Sequence, residues 1–156
     1  MTRVIMDCGG NIEESRMTTL GAEFAMLMLV SGNWHTLDKL EKALEKLGAK
    51  DNLTFTIRKT DERAVKEDRM PYMVDAVSLD HQGIVYGLAN FFATHDIEIA
   101  DVATRSYAAA HTGAPMFAVQ MAVNGPSSIH IAQLREEFLE LSDRLNLDAI
   151  LEPVKS

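Results

Sequence analysis

The segment with the clearest potential for chemistry is Asp80-His81-Gln82-Gly83-Ile84, which joins a predicted strand to a predicted helix. Gly83 allows the backbone to approach a ligand closely, and the free N–H groups at a helix start favour a carboxylate. The carboxylate of Asp80 can either cap the helix or bind an ammonium group. A loop with both features suits a zwitterion such as a free amino acid. A simpler interpretation fits as well, in which Asp80 is an N-cap and Gly83 a turn residue.

No other group of residues has the spacing of a catalytic or metal site. The 5 histidines form neither a His-x-x-x-His nor a Glu-x-x-His pair, which are helical spacings of metal ligands. Ser31 and Ser106 lie in no Gly-x-Ser-x-Gly elbow. The single cysteine, Cys8, excludes an intrachain disulfide and a cysteine metal cluster. We therefore expect no catalytic residues, no metal and no cofactor.

Charge and hydropathy narrow the function classes further. Residues 71–156 carry 4 Lys and Arg against 11 Asp and Glu, within a net charge of −8 for the chain. Clusters of Lys and Arg bind phosphate backbones, so direct nucleic-acid binding is disfavoured. Apolar runs such as residues 24–30 are too short to span a bilayer, and residues 1–10 lack a signal-peptide pattern. The sequence therefore predicts a cytoplasmic protein that contacts neither nucleic acid nor membrane directly.

The first half of the chain has the pattern of a small α+β module. Thr36 is the predicted N-cap of its second helix, and Gly48 is the predicted end of that helix. Residues 53–58 alternate apolar and polar side chains, as in a half-buried strand. The predicted order is helix, strand, strand, helix and strand, at residues 2–8, 11–20, 23–31, 37–47 and 53–58.

The second half repeats this pattern with one more strand in front. A charged linker, residues 61–70, separates the two halves. The predicted order is strand, helix, strand, strand, helix and strand, at residues 72–79, 84–92, 97–107, 116–123, 131–145 and 148–154. Asn11-Ile12-Glu13-Glu14 aligns with Glu98-Ile99-Ala100-Asp101, so that Ile99 follows Ile12 by 87 residues. Each tetrapeptide follows a helix end and opens a strand, which indicates an internal repeat.

This order predicts an α+β protein of two tandem ferredoxin-like βαββαβ modules, the first of which lacks its first strand. Such a module has an antiparallel sheet with both helices on one face. The predicted modules are residues 1–60 and 71–156, joined by the linker 61–70. Because a four-stranded sheet covered on one face has a thin core, we expect each module to pair with another copy, either within the chain or in a homodimer.

Several motifs resemble those of ACT-domain regulatory proteins along nearly the whole chain. Asp80-His81-Gln82-Gly83-Ile84 resembles the Asp-x-x-Gly-Ile loop of ACT domains. The segment from Gly10 to Met17, Gly-Asn-Ile-Glu-Glu-Ser-Arg-Met, is similar to the first module of glycine cleavage system transcriptional repressors. Asp96-Ile97-Glu98-Ile99-Ala100-Asp101, followed by Thr104-Arg105, is similar to their second module.

The resemblance implies a repressor that is not an enzyme and has no DNA-binding domain of its own. It implies a DNA-bound transcription activator as protein partner, and glycine as a small amino acid that relieves repression. Asp80, His81, Gly83 and Ile84 would form the ligand loop. Asn11 matches the polar position that opens the second strand of a neighbouring module. Glu98 holds the same position in the second module, where its carboxylate departs from the family pattern.

A larger departure from the family lies at the start of the chain. Family members begin with a strand and an Asp-Arg-Pro-Gly-like loop, whereas this chain begins inside the first helix. The absent strand would be central in its sheet, and a central gap would expose backbone donors and acceptors. We expect either residues upstream of Met1 or a neighbouring chain to fill this gap. Without the loop, the first module cannot hold a ligand in the usual way.

Two other functions compete with this interpretation. The chain could be a general amino-acid-binding ACT regulator of an enzyme or of another target. It could also be a small enzyme on the same layout, such as an acylphosphatase. That activity needs an Arg-containing loop that holds phosphate, and the charge of the Asp80–Gly83 loop disfavours it.

Overall fold

The computed structural model describes residues 1–51, 53–61 and 68–154, which divide into unit 1, Met1–Arg63, and unit 2, Ala64–Ser156. Unit 1 contains α1 (Thr2–Cys8), β1 (Asn11–Leu20), β2 (Glu23–Ser31) and α2 (Trp34–Asp51). Unit 2 contains β3 (Arg69–Leu79), α3 (Ile84–Thr94), β4 (Glu98–Ala108), β5 (Pro115–Pro126), α4 (Ile131–Arg144) and β6 (Asp148–Pro153). The predicted α+β class with antiparallel sheets is confirmed.

The sheet of unit 2 has the order β4-β5-β3-β6, and every pair is antiparallel. The first strand of the unit, β3, is therefore central, as the sequence predicts. Its side chains alternate between buried and more exposed from Tyr72 to Leu79, because successive residues of a strand point to opposite faces. The buried members of this row are Tyr72, Val74, Ala76 and Ser78.

Both helices of unit 2 cover that buried face of the sheet. Their apolar residues pack with the buried row of β3 and with Val119, Met121 and Val123 of β5 in a single core. The helical members are Ile84, Leu88, Phe91, Phe92, Leu134, Phe138 and Leu141. Packing is close, because a Cβ atom at Gly87 of α3 would lie 2.7 Å from Leu145 Cδ1, just after α4. Gly87 thus lets the N-terminal half of α3 approach the end of α4.

Unit 1 is a β1–β2 hairpin with two helices, and its strands have the predicted bounds. Gly21 turns the hairpin with a φ of 63°, and Gly9 closes α1 with a φ of 83°, both in the left-handed region that favours glycine. Ile5, Leu40 and Leu44 are its buried apolar residues. They pack against half-buried neighbours from both helices, the hairpin and the segment after α2, including Met28, Val30, Leu47 and Phe55.

The predicted ends of the second helix are wrong. The helix begins at Trp34, where the side-chain Oδ1 of Asn33 accepts the backbone N–H of Thr36 at 2.9 Å. Asn33 thus takes the capping role assigned to Thr36, which is buried inside the first turn. The helix also continues through Gly48 to Asp51. A single glycine costs a helix only about 1 kcal/mol relative to alanine, and does not have to end it.

The predicted strand at residues 53–58 is also wrong, since residues 53–61 form no strand in the structure. In unit 2 the last strand, β6, pairs with the first strand, β3. Unit 1 has no counterpart of β3 among its described residues, and β2 pairs there with β1 alone. Residues 53–58 therefore have the side-chain pattern of a strand but no neighbour to supply its hydrogen bonds. Phe55 nevertheless packs against the core of unit 1.

The linker prediction is revised at one end. β3 begins at Arg69, so the last residues of the predicted linker 61–70 belong to a strand. Residues 62–67 lie outside the described part of the chain.

The internal repeat extends to the backbone. The register of β1 against β2 shifts between Ile12 and Glu14, and that of β4 against β5 shifts between Ile99 and Asp101. Both shifts are β-bulges, and they lie 87 residues apart, at the same offset as the tetrapeptide match. The two hairpins thus share an irregularity that alternating hydrophobicity does not reveal.

Phe92 provides a test of the unit 2 core. Phe92→Ala removes a fully buried ring, so the free energy of unfolding should fall by about 3–5 kcal/mol. Tyr86→Ala on the same helix is the control, because that ring is 76% exposed, and its effect should stay within about 0.5 kcal/mol. Urea denaturation followed by circular dichroism measures both. Equal losses from the two variants would contradict the assigned core.

Candidate functional site

The candidate loop, residues 80–83, connects the central strand β3 to α3. The backbone N–H of Asp80 donates to the carbonyl of Pro115 at 2.9 Å, which fastens the start of the loop to β5. At its other end, the Gly87 N–H donates to the Gly83 carbonyl at 2.8 Å, the first bond of the helix. Ile84 then anchors α3 in the core, where it is 2% exposed. The side chain of Ile84 therefore belongs to the core, and only its backbone could contact a ligand.

Gly83 is the N-cap of α3, and its φ of 94° lies in the left-handed region. A Cβ atom placed there would meet no described atom within 4 Å, so the glycine is required by backbone conformation and not by crowding. The space beside the helix start is consequently open. The close approach of a ligand to this backbone stays a prediction.

Asp80 does not cap the helix. No side chain makes the N-cap hydrogen bond of α3, and Asp80 Oδ2 instead accepts the hydroxyl of Ser106 on β4 at 3.3 Å. The simpler interpretation of Asp80 as an N-cap is therefore wrong. Its exposed carboxylate is bound by Ser106, near the end of β4 that lies beside the loop.

His81 contacts two carbonyl oxygens at once. Its Nδ1 lies 3.0 Å from the Gln82 carbonyl, and its Nε2 lies 2.9 Å from the Leu145 carbonyl at the end of α4. The hydrogen bond to Gln82, followed by that to Leu145, raises the pKa of His81 above its ordinary value of 6.5. His81 therefore connects the loop to α4.

Glu98 lies at the opposite end of the same sheet. It is the first residue of β4 and pairs with Asn124, whereas the loop contacts β4 through Ser106. At about 3.3 Å per residue, the eight steps from Glu98 to Ser106 span roughly 25 Å. Within unit 2, the structure does not bring Glu98 to the loop.

Asn11 opens β1 of unit 1, in a polar cluster at the base of the hairpin. Its Nδ2 donates to Glu13 Oε1 at 2.8 Å, and the hydroxyl of Ser31 donates to the same oxygen. The bond from Ser31, then that from Asn11, lowers the pKa of the Glu13 carboxyl. Glu13 sits at the bulge, where the strand accommodates one extra residue. In unit 2 the matching residue is Ala100, so this cluster is not repeated there.

Within unit 2 the structure thus places Asp80, His81, Gly83 and Ile84 in one loop and Glu98 at the far end of the sheet, whereas Asn11 opens a strand of unit 1. Sequence reasoning missed Ser106 and the Leu145 carbonyl, which hold the loop. Ser106 is far from the loop in sequence, and a backbone carbonyl carries no residue signature. β3 and β4 both pair with β5, so the ends of these two strands flank the start of β5, and this strand order brings Ser106 to the loop.

The described residues also bear on two further classes of feature, metal sites and membrane-spanning helices. Among residues 1–51, 53–61 and 68–154, no three His, Cys, Asp or Glu side chains are grouped so that they could hold a metal ion. The helices in those ranges are too short or too polar to cross a membrane.

Comparison with known proteins confirms the resemblance stated above. The ACT domain family profile matches residues 1–58. Over 146 residues the chain is 29% identical to the glycine cleavage system transcriptional repressor of Escherichia coli (strain K12), covering 94% of this chain and 77% of the relative. The repressor of the same name from Shigella flexneri gives the same values.

Solved structures share the fold over nearly the full length. An unknown protein from Galdieria sulphuraria superposes with a TM-score of 0.78 at 23% identity, covering 99% of this chain and 88% of that one. A proposed glycine cleavage system transcriptional repressor superposes with a TM-score of 0.76 at 26% identity, covering 99% and 87%. The ACT-like architecture therefore extends over both units.

Gly83→Ala tests the conformation of the loop. An L-residue in the left-handed region costs about 1–2 kcal/mol, so the free energy of unfolding should fall by that amount. Gly83→Asn is the matched variant, because asparagine tolerates this region better and should lose less. Thermal unfolding compares the two. An alanine variant as stable as the parent would contradict the assigned backbone.

Proposed function

We propose that this chain, which resembles glycine cleavage system transcriptional repressors over 94% of its length, is a cytoplasmic regulatory protein and not an enzyme. It acts through a protein partner, a DNA-bound transcription activator, and its response is set by a small amino acid. Among described residues, a strongly acidic unit 2 offers no cluster of cations for DNA. This supports indirect action on genes.

One observation carries the amino-acid proposal: Asp80 is held by Ser106 and leaves the N-terminus of α3 to another group. A carboxylate and a helix N-terminus in one short loop offer opposite charges to the two ends of a zwitterion. The ligand ammonium would pair with Asp80, and the ligand carboxylate would accept N–H groups after Gly83. Glycine is the first candidate, because the similar repressors are named for the glycine cleavage system.

A second copy of the chain completes the proposed site. The loop itself supplies one side, and the second strand of a module in the other copy would supply the facing side, through Asn11 or Glu98. The amide of Asn11 can bind a ligand carboxylate. The carboxylate of Glu98 would instead repel it and attract an ammonium group, so the two positions favour opposite ends of the ligand. We therefore propose a homodimer.

Regulation follows from a population shift. A ligand that bridges two modules favours one arrangement of them, by no more than its difference in affinity for the alternatives. The activator would then bind one arrangement. The surplus of negative charge on residues 71–156 would speed association with a basic partner surface.

Titration calorimetry with glycine, serine and alanine tests the ligand. The parent should bind glycine most tightly, and Asp80→Asn should weaken binding about 10- to 100-fold, because a hydrogen bond to a charged group contributes roughly 1.5–3 kcal/mol. Asp75→Asn is the control, since Asp75 lies on β3, the strand before the loop, where its carboxylate accepts from Gln120 at 2.7 Å. Equal binding of all three amino acids would favour a general amino-acid sensor. If none binds, amino-acid sensing is excluded.

Capture of the purified activator of the glycine cleavage genes tests the partner. The immobilised chain should retain the activator without DNA, and saturating glycine should reduce the amount retained. Sedimentation of the free chain should give twice the monomer mass of 17.3 kDa. A chain that binds the promoter DNA alone and not the activator would contradict the proposal.

A further inference from the structure

We infer that His81 is a proton-dependent clamp that fastens the loop before α3 to the end of α4. His81 precedes α3, and His95 is its C-cap. Both ring nitrogens of His81 lie within hydrogen-bond distance of backbone carbonyl oxygens. A neutral imidazole has one N–H, so it can satisfy one such contact but not two.

At the start of α3, both partners of His81 are backbone carbonyls. The carbonyls of Gln82 and Leu145 can accept but never donate, so both ring nitrogens must donate. The Leu145 carbonyl ends α4, where unpaired carbonyls and the helix dipole favour a cation. The contact thus joins the loop to α4 through the protonated ring.

At the other end, His95 bridges the two helices directly. Its Nδ1 lies 2.8 Å from the Phe91 carbonyl, and its Nε2 lies 2.7 Å from Glu137 Oε2 on α4. The bond from His95, then that from Gln133, lowers the pKa of Glu137, so this carboxyl is ionised and accepts. The hydroxyl of Thr94 lies 3.4 Å from His95 Nδ1, and the ring of Phe91 lies 4.3 Å from that of His95, centroid to centroid.

Other charged groups lie near each ring. Near His81, Asp80 raises the pKa, and the last turn of α4 carries Asp143 and Arg144. Near His95, Glu137, Glu140 and Arg144 line the groove between α3 and α4, which has a volume of about 370 Å³. Asp96, the next residue, is paired with Arg69 at 3.0 Å.

The sign of the pH dependence follows from the protonated form. Because folding raises the pKa of His81 above 6.5, its contribution to stability is complete below pH 6.5. It is lost as the pH rises through the higher value of the folded state. Above that pH the neutral ring can keep only one of its two hydrogen bonds. Either the bond to the Gln82 carbonyl or the bond to the Leu145 carbonyl at the end of α4 is then lost.

Proton titration of the histidine side chains by NMR tests the clamp on the parent protein, without any amino-acid ligand. His81 should titrate above its ordinary pKa value of 6.5, because both of its ring nitrogens lie against carbonyl oxygens. If His81 titrates at or below pH 6.5, the clamp is excluded. Since this result does not depend on ligand binding, it stands apart from the proposed function.

Thermal unfolding at pH 6 and pH 8 tests its effect on the fold. The melting temperature of the parent should fall between the two, and that of His81→Gln should fall markedly less, because glutamine is neutral at both values. His130→Gln is the control, because the His130 side chain makes no capping bond, and it should keep the pH dependence of the parent. A His81→Gln variant with the full pH dependence of the parent would overturn the inference.

Discussion

The central position of β3 is the constraint on which unit 2 depends. Residues 72–77 pair with β5 on one side and with β6 on the other, so the backbone groups of this strand are satisfied on both edges. One face of β3 then enters the core against both helices. Because β3 lies between β5 and β6 and ends at Leu79, the loop that follows it lies in the middle of one edge of the sheet, where the strands end. The candidate site is placed there by strand order and not by its own side chains.

Unit 1 shows what the same pattern becomes without such a strand. Its hairpin and helices form, and their apolar residues meet around Ile5, Leu40 and Leu44. However, Leu27 of β2 is 77% exposed. Residues 53–58 form no strand. Side-chain pattern is therefore enough for a hairpin, whose two strands satisfy each other. It is not enough for a strand whose hydrogen-bond partner must come from elsewhere.

Much of the fold could be read from the sequence because its signals are local. Gly9 and Gly21 mark positive-φ positions, so the bounds of β1 and β2 were predicted to the residue. The errors arose where two local signals competed or where a distant group decided. Asn33 and Thr36 are both good N-caps, and the choice depends on the entry angle of the chain. The fate of residues 53–58 depends on a strand partner that no short window of sequence contains.

The candidate site divides in the same way. Gly83 and Asp80 were visible in the sequence, because a positive φ and a carboxylate each require a particular residue type. The groups that contact the loop were not visible. Ser106 lies beside the loop because β3 and β4 both pair with β5. The Leu145 carbonyl lies beside it because Gly87 packs against the end of α4. The loop is bound to the sheet through Asp80 and to α4 through His81, so its position depends on both elements. A change in how α3 packs on α4 would therefore move the four-residue loop that contains Asp80 and Gly83.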